Sequence, residues 1–407
     1  MQRRHMKSRV VITGIGVVSS IGIGKDAFWN SLLEGKSGIS PVESFDTSGH
    51  FTHMGGEVKL FRPEEFIPKE RLKLMNRATQ MALAATGLAM EDSALTPDVL
   101  SGARTAVSHG TTLGTVTTAE KVNDLLLAGE EIGYELFYQM PTHAASSMIS
   151  REFGFTGPCF MFSTACAAGN YAIAYAYDLL RLGRADVVIA GASDPMSRLE
   201  YTGFNQFKAV APEICQPFDK DRKGMMLAEG AGILVLESLE NAERRCADIY
   251  AEILGYGLSC DARHMTTPSV EGIAECMRKA LREAGITIED VDYISAHGTG
   301  TRANDKNESA AIKAVFGRLT ENIPVSSIKS MLGHTMGAAS ALEAIACTLT
   351  VKHDIIPPTI NFETPDPECD IDCVPNRARK QAVNIALNNS YAFGGNNASL
   401  VLKKFTE

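Results

Sequence analysis

Phe162-Ser-Thr-Ala-Cys166-Ala-Ala-Gly-Asn-Tyr-Ala-Ile-Ala-Tyr-Ala-Tyr-Asp-Leu-Leu-Arg-Leu-Gly183 is the stretch around which the chain is organised. Small and β-prone residues open it, and large residues then alternate with alanines at near-helical spacing. This pattern predicts a tight turn followed by a buried helix that ends at Gly183. Cys166 is expected in the first turn, where unpaired N–H groups and the helix dipole lower the pKa of a thiol. The position indicates a nucleophile, although a lone cysteine in a helical pattern is more often a buried structural residue.

The composition is that of a large, acidic, globular protein. The 407 residues are 45% hydrophobic and 21% charged, which is enough for one large core or for two domains. A net charge of −9 argues against a general nucleic-acid or anionic-membrane binder. No segment has the roughly 18 consecutive apolar residues of a membrane span. We therefore expect neither nucleic acid nor membrane among the partners.

The cysteines indicate a reducing compartment. Nine of them are dispersed along the chain, without Cys-x-x-Cys pairs or metal-ligand spacing. They are Cys159, Cys166, Cys215, Cys246, Cys260, Cys276, Cys347, Cys369 and Cys373. This distribution favours free thiols over a disulfide framework or a metal site.

The N-terminal segment resembles the start of a signal peptide, because basic residues precede the apolar run that begins at Val10. Glycines interrupt that run, so we expect it to form a first core strand instead. We therefore expect a cytoplasmic protein.

The hydrophobic pattern predicts repeated α/β units. Strands are predicted over residues 10–18, 104–108, 186–192, 230–237, 249–257 and 291–296. Helices are predicted over residues 26–33, 78–93, 270–284 and, with a break near Pro141, 119–153. The order strand, Cys166 turn, helix, strand forms a crossover unit with the cysteine at its turn. No low-complexity linker interrupts the chain, so we expect two halves packed as one unit.

One pair of glycines suggests a different function. Gly14-Ile-Gly16 ends the first predicted strand, and Glu34 lies about 20 residues further on, as in the phosphate-binding turn of dinucleotide-binding proteins. However, Ser19 occupies the third glycine position, and Glu34 follows a predicted helix rather than a second strand. A nucleotide-dependent oxidoreductase is therefore the less favoured alternative.

A basic stripe is predicted on a helix that starts near Pro63. Lys69, Lys73 and Arg77 are spaced by four residues and so would share one helix face. A solvated surface is the ordinary meaning of such a stripe. In an acidic protein it is also a place where an acidic partner could dock.

Two histidines in the second half stand beside glycines at predicted strand-to-helix junctions. His297-Gly-Thr-Gly-Thr301 follows the strand at 291–296, and Lys329-Ser-Met-Leu-Gly-His334 follows another loop and strand. Glycines at such junctions let the backbone approach a ligand closely. Either histidine alone would be an ordinary loop residue, but together with Cys166 they indicate a catalytic site. Residues 388–402 predict a strand, a Gly-Gly turn and a closing strand.

These motifs resemble the four signatures of β-ketoacyl-[acyl-carrier-protein] synthases. The signatures are matched in order and spacing, between residues 10 and 404, by Thr164-Ala-Cys166-Ala-Ala-Gly, His297-Gly-Thr-Gly-Thr, Lys329-Ser-Met-Leu-Gly-His334 and Phe393-Gly-Gly-Asn-Asn. The chain is most similar to the elongating Cys-His-His type, which includes ketoacyl synthase II and polyketide ketosynthases. It differs from thiolases, which carry a second catalytic cysteine, and from initiating synthases of the third class, which use Cys-His-Asn. It also differs from chain-length factors, which lack the nucleophile, because Cys166 is present here.

The resemblance implies a fold and a reaction. The fold is the α/β thiolase fold, with two similar halves in five αβαβα layers, here residues 1–255 with the nucleophile and 256–407 with the two histidines. The family transfers an acyl group from an acyl carrier protein to the cysteine, decarboxylates malonyl carrier protein, and joins the two into a 3-oxoacyl product. The substrates travel on phosphopantetheine, and no cofactor or metal of the enzyme's own is implied. A homodimer is implied, with a heterodimer containing a chain-length factor as the alternative.

The resemblance also assigns roles to individual residues. Cys166 carries the acyl group, and the backbone N–H groups of Cys166 and Phe393 hold the tetrahedral oxyanion. His297 and His334 donate hydrogen bonds to the malonyl thioester oxygen as negative charge develops there. The other matches are Lys329 as the charge that organises the site, Glu343 as its buried carboxylate partner, Thr299 and Thr301 as hydroxyls that bind the phosphopantetheine arm, and Gly394 in the turn beside the substrate.

Some positions depart from the family pattern. Thr111 stands where many members have a bulky apolar residue at the floor of the acyl pocket, so we expect Thr111 to help set acyl length. Tyr391-Ala392 precede Phe393 where Phe-Gly is common. The basic stripe lies in the region where members dock the acidic carrier protein. The pathway stays open between fatty-acid elongation and a type II polyketide or polyene pathway, and a non-catalytic partner of a ketosynthase is a further alternative.

Overall fold

The computed structural model describes residues 8–96 and 98–406. Its strands are β1 (Val10–Ser19), β2 (Gly22–Ile23), β3 (Ser40–Pro41), β4 (Met54–Gly55), β5 (Thr105–Gly110), β6 (Cys159–Phe162), β7 (Val187–Asp194), β8 (Gly230–Ser238), β9 (Ala251–Cys260), β10 (Tyr293–Ser295), β11 (Val325–Ser326), β12 (Ile355–Ile356), β13 (Arg379–Lys380), β14 (Ile385–Tyr391) and β15 (Asn396–Lys404). Its helices are α1 (Lys25–Glu34), α2 (Lys69–Leu72), α3 (Arg77–Asp92), α4 (Val116–Ala128), α5 (Glu135–Gln139), α6 (Ala144–Phe153), α7 (Ala168–Arg181), α8 (Arg198–Gln206), α9 (Leu239–Arg244), α10 (Val270–Ala284), α11 (Arg302–Phe316), α12 (Lys329–Leu332) and α13 (Ala339–His353). None of these helices is long and apolar enough to cross a membrane.

The main strands form two five-stranded sheets with the same order. In the first half the order is β6-β5-β7-β8-β1, and in the second it is β11-β10-β14-β15-β9. In each sheet the first three strands are parallel, and the last two are antiparallel to their neighbours. The first three residues of β1 also pair with β9, which joins the two sheets at their edges. The chain therefore contains the same α/β unit twice.

Three layers of helices enclose the two sheets. α3 and α6 cover the outer face of the first sheet, α10 and α11 cover the outer face of the second, and α7 and α13 lie between the sheets. α13 is buried on all sides from Ala339 to Val351, as expected for a helix in the middle of a large core. β7 is buried along its whole length, which is typical of a strand covered on both faces. This is the five-layered αβαβα arrangement that the family resemblance implied.

Each central helix begins at a strained turn in the same position of its half. β6 leads into the turn Ala165–Ala167 and then α7, and β11 leads through α12 into the turn Met336–Ala338 and then α13. Ala165 (φ 49°) and Met336 (φ 52°) both have left-handed backbone. This conformation costs a non-glycine residue about 1–3 kcal/mol and is often kept at functional sites. The two turns are in contact, so the side chains they carry meet between the halves.

Gly14 and Gly16 lie within β1 and pack against α3. A Cβ at Gly16 would lie 1.8 Å from the backbone oxygen of Ala85, and one at Gly14 would lie 2.4 Å from that of Ala89. The glycines therefore allow a helix to approach the strand closely. The dinucleotide-binding interpretation is wrong, because the strand continues through both glycines to Ser19 and forms no phosphate-binding turn there.

Most predicted elements are present within a few residues of their predicted bounds. The helix predicted at 270–284 is α10. β5 extends to Gly110, two residues beyond the end of the strand predicted over 104–108. The predicted boundary at residue 255 falls inside β9, which starts the second sheet at Ala251. The division into residues 1–255 and 256–407 stays a prediction.

Candidate active site

Cys166 lies at the centre of the turn that precedes α7. The residue is 6% exposed, and Ser390 Oγ donates a hydrogen bond of 2.9 Å to its backbone oxygen. Ser390 belongs to β14 of the second sheet, so both halves of the chain hold the turn in place. Cys166 therefore lies at the start of the buried helix, as the sequence predicted.

Two histidines from the second half face this cysteine. His334 Nε2 lies 3.1 Å from Cys166 Sγ, and the rings of His297 and His334 are 5.5 Å apart and nearly perpendicular. One side-chain N or S atom from each of the three residues lies within 4.8 Å of the others. They line a pocket of about 230 Å³. The structure thus brings together the three residues that the sequence motifs singled out.

Hydrogen bonds determine which ring nitrogen of each histidine carries the proton. The backbone N–H of Met336 donates to Nδ1 of His334 over 3.2 Å, and the ammonium of Lys329 lies 3.4 Å from Nδ1 of His297. Burial, reinforced by the positive charge of Lys329, lowers the pKa of both rings well below 6.5. Both imidazoles are therefore neutral at physiological pH. Because Nδ1 accepts a hydrogen bond in each ring, the single proton must be on Nε2.

The thiol of Cys166 is protonated in the free protein. Burial raises its pKa to about 12, while the charge of Lys329 and the backbone N–H of Cys166 act in the opposite direction. The lowered pKa that the sequence predicted is therefore wrong, because enclosure of the thiol outweighs the field of the helix start. Since Nε2 of His334 already carries a proton, it donates to the sulfur. The imidazole is placed to stabilise a thiolate rather than to remove the proton from the thiol.

The same trio has the spacing of a metal site, but its protons do not suit one. A zinc or similar ion binds the unprotonated nitrogen of a neutral imidazole. In both His297 and His334 that nitrogen is Nδ1, which already accepts a hydrogen bond from Lys329 or Met336. The residues present therefore do not fit a metal ion. Two N–H donors beside a thiol suit a carbonyl oxygen that becomes an anion.

Lys329 and Glu343 form a completely buried ion pair beside His297. Each side chain is 1% exposed, and the ammonium donates a hydrogen bond to Oε1 of the carboxylate. Burial raises the pKa of Glu343 to about 7, against the lowering effect of Lys329. Within the described residues, Oε2 of Glu343 has no hydrogen-bond partner. The pair holds a positive charge against Nδ1 of His297, so that Nε2 of this ring stays the donor.

Three of the five predicted substrate-contacting residues line the same pocket. Thr299, Thr301 and Phe393 line it, and the two threonine hydroxyls are hydrogen-bonded at 2.9 Å. The ring of Phe393 packs against that of Phe204, with centroids 5.6 Å apart. Gly394 follows with φ 81°, in the left-handed region that favours glycine. The turn after Phe393 therefore requires the glycine that the motif supplies.

Thr111 lies outside this pocket, in a smaller cavity of about 10 Å³, room for about one water. Other hydroxyl-bearing residues line that cavity: Thr79, Thr115, Thr142 and Ser193. The hydroxyl of Thr111 donates a hydrogen bond of 2.6 Å to Asp194 Oδ1. The role of Thr111 in setting acyl length stays a prediction, and any test must separate its volume from this hydrogen bond.

Asp194 is a buried carboxylate that the sequence analysis missed. Besides the hydroxyl of Thr111, it accepts hydrogen bonds of 2.7 Å from the backbone N–H groups of Thr112 and Gly337. Gly337 lies in the turn after His334, so Asp194 ties this turn to the loop after β5. Burial raises the pKa of Asp194 to about 6. The one sequence signal that could have identified Asp194 is an acidic residue at the end of a buried strand.

Glu308 is a second residue that the sequence analysis missed. Its Oε1 accepts from the backbone N–H of His297, and its Oε2 from that of Gly298, both at 2.8 Å. The side chain is fully buried, and burial raises the pKa of Glu308 to about 7. These bonds fix the loop that carries His297. Glu308 comes from α11, and no local pattern connects it with that loop.

The predicted basic stripe does not exist as one helix face. α2 ends before Lys73 and α3 begins at Arg77, so a turn separates the cations. Arg77 binds the buried carboxylate of Glu229 through Nε and Nη2, at 2.8 and 2.6 Å. Nζ of Lys73 lies 3.6 Å from Oε1 of Glu135, and the lysine side chain is largely exposed. Arg77 is therefore a structural residue, and of the three only Lys69 and Lys73 extend into solvent.

Comparison with known families and proteins places both halves in one family. The β-ketoacyl synthase N-terminal domain matches residues 7–242, and the C-terminal domain of the same family matches residues 250–363. Nodulation protein E of Rhizobium meliloti (strain 1021) is 42% identical over 403 residues, which cover 98% of this chain and 100% of that protein. 3-Oxoacyl-[acyl-carrier-protein] synthase 2 of Synechocystis sp. is 39% identical over 410 residues, which cover 98% of this chain and 99% of that protein.

Solved structures agree with this assignment. The ishigamide ketosynthase/chain length factor is similar with a TM-score of 0.95 and 46% identity, covering 98% of this chain and 100% of that one. A type II polyketide synthase acyl-carrier protein in complex with its ketosynthase bound to the hexaketide gives a TM-score of 0.91 and 35% identity, with the same coverage. The predicted thiolase fold is confirmed by these neighbours and by the duplicated sheet. The chain therefore belongs to the β-ketoacyl synthase family.

Proposed function

We propose that this chain catalyses the decarboxylative condensation of an acyl thioester with malonyl-[acyl-carrier-protein], giving 3-oxoacyl-[acyl-carrier-protein] and CO₂. One observation carries the proposal: two neutral imidazoles present Nε2–H donors in the pocket of Cys166, one of them 3.1 Å from the sulfur. Family membership and similarity to a 3-oxoacyl-[acyl-carrier-protein] synthase 2 support it. The chemistry requires no cofactor or metal of the protein's own, since the substrates are carried on phosphopantetheine.

The acyl-transfer step uses Cys166 and backbone donors. The sulfur attacks the carbon of the incoming thioester, and the backbone N–H groups of Cys166 and Phe393 hold the tetrahedral oxyanion. The thiol proton leaves with the departing phosphopantetheine sulfur. The Nε2–H of His334 stabilises the cysteine sulfur while it carries negative charge.

The decarboxylation step uses both histidines. The Nε2–H groups of His297 and His334 donate to the malonyl thioester oxygen, on which the charge of the enolate resides after CO₂ is lost. Donors placed where charge develops favour the transition state over the ground state. The enolate carbon then attacks the acyl thioester on Cys166, the new carbon–carbon bond forms, and the sulfur leaves as a thiolate.

The two half-reactions should differ in their dependence on pH. The pKa of both histidines lies well below 6.5, so the imidazoles stay neutral donors above this value, and decarboxylation should be nearly constant between about pH 6.5 and 8. Acyl transfer needs a cysteine whose pKa is raised to about 12, so its rate should rise with pH throughout this range. CO₂ release and acyl-enzyme mass measure the two rates. A decarboxylation rate with a midpoint near 6.5 would contradict the proposed protonation state.

We propose that the acyl carrier protein docks at the mouth of the pocket. Lys208 and Arg302 are exposed, and the residues on either side of each of them line the pocket. Positive charges at this mouth suit an acidic carrier protein in spite of the negative charge of the whole chain. A solved relative holds its acyl-carrier protein in a complex, which supports a carrier protein as the partner here. Lys69 and Lys73 are retained from the predicted docking site, whereas Arg77 is not.

Charge reversal at the mouth should weaken carrier binding. The double variant Lys208→Glu/Arg302→Glu should raise KM for malonyl carrier protein several-fold, and more at low salt, because each exposed contact contributes about 0.2–1 kcal/mol. Activity on a malonyl-pantetheine thioester without the protein carrier should change little. Lys380→Glu, an exposed cation on β13, is the matched control. An unchanged KM at low salt would remove the two residues from the docking site.

The predicted role of Thr111 in setting acyl length can be tested by substitution. Thr111→Phe adds a large ring where the neighbouring cavity holds about 10 Å³, so long acyl donors should be rejected before short ones. Thr111→Val keeps the volume and loses the hydrogen bond to Asp194, which makes it the matched control. Rates with acyl carrier proteins of increasing chain length measure the effect. An identical length profile in wild type and Thr111→Phe would place the chain-length determinant elsewhere.

We propose that two copies of the chain pair along β6. This strand ends the first sheet, and in the described part of the chain no strand covers its outer edge. Phe160 on β6 is 39% exposed, and other exposed apolar side chains lie at 127–138: Leu127, Tyr134, Phe137 and Tyr138. An apolar strand edge is a template for pairing with another chain. Native mass spectrometry of the purified protein distinguishes a homodimer from a chain that pairs only with a chain-length factor, the partner seen in solved relatives.

The pathway and the location of the protein are part of the proposal. Relatives include a nodulation protein and a 3-oxoacyl synthase, which supports fatty-acid or type II polyketide synthesis without separating them. None of the nine cysteines, all within the described residues, is in a disulfide, which supports the predicted cytoplasmic location. Mass spectrometry of products from malonyl carrier protein and a panel of acyl carrier proteins tests the function. Failure of Cys166 to become acylated, with activity only beside a partner, would favour the non-catalytic alternative.

A further inference from the structure

The two central helices touch directly behind the reacting groups. A Cβ on Gly169 would lie 2.6 Å from the backbone nitrogen of Ala341 and 2.8 Å from Ser340 Oγ, so no side chain separates the helices here. Gly169 follows Cys166 by one helical turn at the start of α7. Ser340 lies at the start of α13, shortly after His334. The position of this contact therefore determines where the two helix starts lie relative to each other.

A closed ring of hydrogen bonds fastens the contact. The backbone N–H of Asn170 donates to Ser340 Oγ at 3.0 Å, and its Nδ2 donates to the backbone oxygen of Asn388 at 3.3 Å. In return, Asn388 Nδ2 donates to Asn170 Oδ1 and to the backbone oxygen of Ser340, both at 3.0 Å. All three residues are 0% exposed. The ring thus connects α7, α13 and β14, three segments far apart in the sequence.

β14 carries this connection on to the site itself. Two residues after Asn388, Ser390 donates to the backbone oxygen of Cys166 at 2.9 Å. Phe393, whose N–H is proposed to hold the oxyanion, follows at the end of the strand. Neither Asn170 nor Asn388 lines the pocket, so they can act only through the elements that they hold.

We propose that Asn170 and Asn388 are positioning residues of the condensing site, which set the approach of the Cys166 thiol to the His334 imidazole. The inference rests on the proposed function. Apolar packing alone holds two helices together without fixing their register, whereas a buried ring of directional hydrogen bonds is satisfied in one register. Displacing reacting groups by about 1 Å can cost about 10²-fold in rate, so a ring this close to the site affects turnover.

Asn389 provides the matched control for a substitution in this ring. It is the next residue on β14 and is also 0% exposed, but it faces α10, where its Nδ2 lies 3.5 Å from Met277 Sδ. Its Oδ1 accepts a hydrogen bond of 2.7 Å from Ser399. Asn389→Ala therefore removes the same atoms at the same depth without touching the central helices.

The test compares Asn388→Ala with Asn389→Ala. Asn388→Ala should lower kcat for condensation about 10- to 100-fold with little change in KM, because the substrates still bind while the reacting groups are displaced. Alkylation of Cys166 by iodoacetamide, followed on its own peptide by mass spectrometry, should also slow, because the thiolate loses its donor. Asn389→Ala should leave both quantities near the wild-type values. Equal losses in the two variants would overturn the proposal, since general damage to the core would explain them.

Ser340→Ala keeps the proposal testable if Asn388→Ala does not fold. It deletes one hydroxyl from the ring and should give a smaller loss in the same direction in both kcat and Cys166 alkylation. The alkylation rate requires no turnover, so it separates this inference from the proposed function. A wild-type protein without condensing activity would defeat the proposed function alone. Wild-type alkylation of Cys166 in the folded ring variants would defeat the inference alone.

Discussion

The Cys166→Ala variant is expected to lose condensation completely and still convert malonyl carrier protein to acetyl carrier protein. The donors on His297 and His334 act on the malonyl thioester oxygen whether or not an acyl group waits on the cysteine. Removing the thiol leaves untouched the hydrogen bonds from Lys329 and Met336 that keep both protons on Nε2. Radiolabelled CO₂ release, measured beside acyl-enzyme mass, reports the two activities separately.

In the same experiment His334→Ala should lower decarboxylation by about 10²–10³-fold, because one preorganised donor is worth about 3–4 kcal/mol of transition-state stabilisation. Acylation of Cys166 should fall less, since backbone N–H groups hold its oxyanion. His297→Ala is the matched variant, because it removes the other of the two donors and keeps the one that lies 3.1 Å from the sulfur. If His334→Ala decarboxylated at the wild-type rate and failed to become acylated, the roles would be reversed and the histidine would be the base that activates the thiol.

The residues that carry the chemistry could be found from the sequence because each lies in a local motif. Alternating small and large residues placed Cys166 ahead of a buried helix, and that is its position in the structure. Glycines beside His297 and His334 marked junctions where backbone approaches a ligand. The pairing of Cys166 with His334, 168 residues away, came from the family resemblance, since no periodicity contains it.

What the sequence could not supply depends on partners that are distant along the chain. Spacing by four residues predicted that Arg77 belongs to a basic stripe, but its carboxylate partner Glu229 lies 152 residues away and binds it within the fold. A helix start predicted a lowered pKa for Cys166, but the depth of burial, which raises it, is a tertiary property. The spacing of the β1 glycines suggested a phosphate-binding turn as a less favoured alternative, and only the position of α3 shows that they serve a close helix contact. Local sequence patterns predict where a residue lies in the fold. Its charge state and its exposure depend on packing against residues that are distant along the chain.

A Lys329→Met substitution is expected to damage both stability and decarboxylation, for different reasons. Removing one partner of a buried ion pair leaves the other charge uncompensated, which typically costs about 3–5 kcal/mol of unfolding free energy. Burial already raises the pKa of Glu343 to about 7, and loss of the lysine raises it further. A carboxyl with a raised pKa in the folded state loses stability as the pH rises through that pKa. The loss in Tm should therefore be larger at pH 8 than at pH 6.

The double variant Lys329→Met/Glu343→Gln separates the two effects of the ion pair. It removes the uncompensated charge, so Tm should recover to near the wild-type value and lose the additional dependence on pH that Lys329→Met introduces. Decarboxylation should not recover, because Nδ1 of His297 still lacks the ammonium that donates to it, and the ring is free to carry its proton there instead of on Nε2. We expect a loss of about 10²-fold, comparable with removal of one donor. Recovery of both Tm and CO₂ release would mean that Lys329 only neutralises Glu343 and leaves the histidine's proton to other groups.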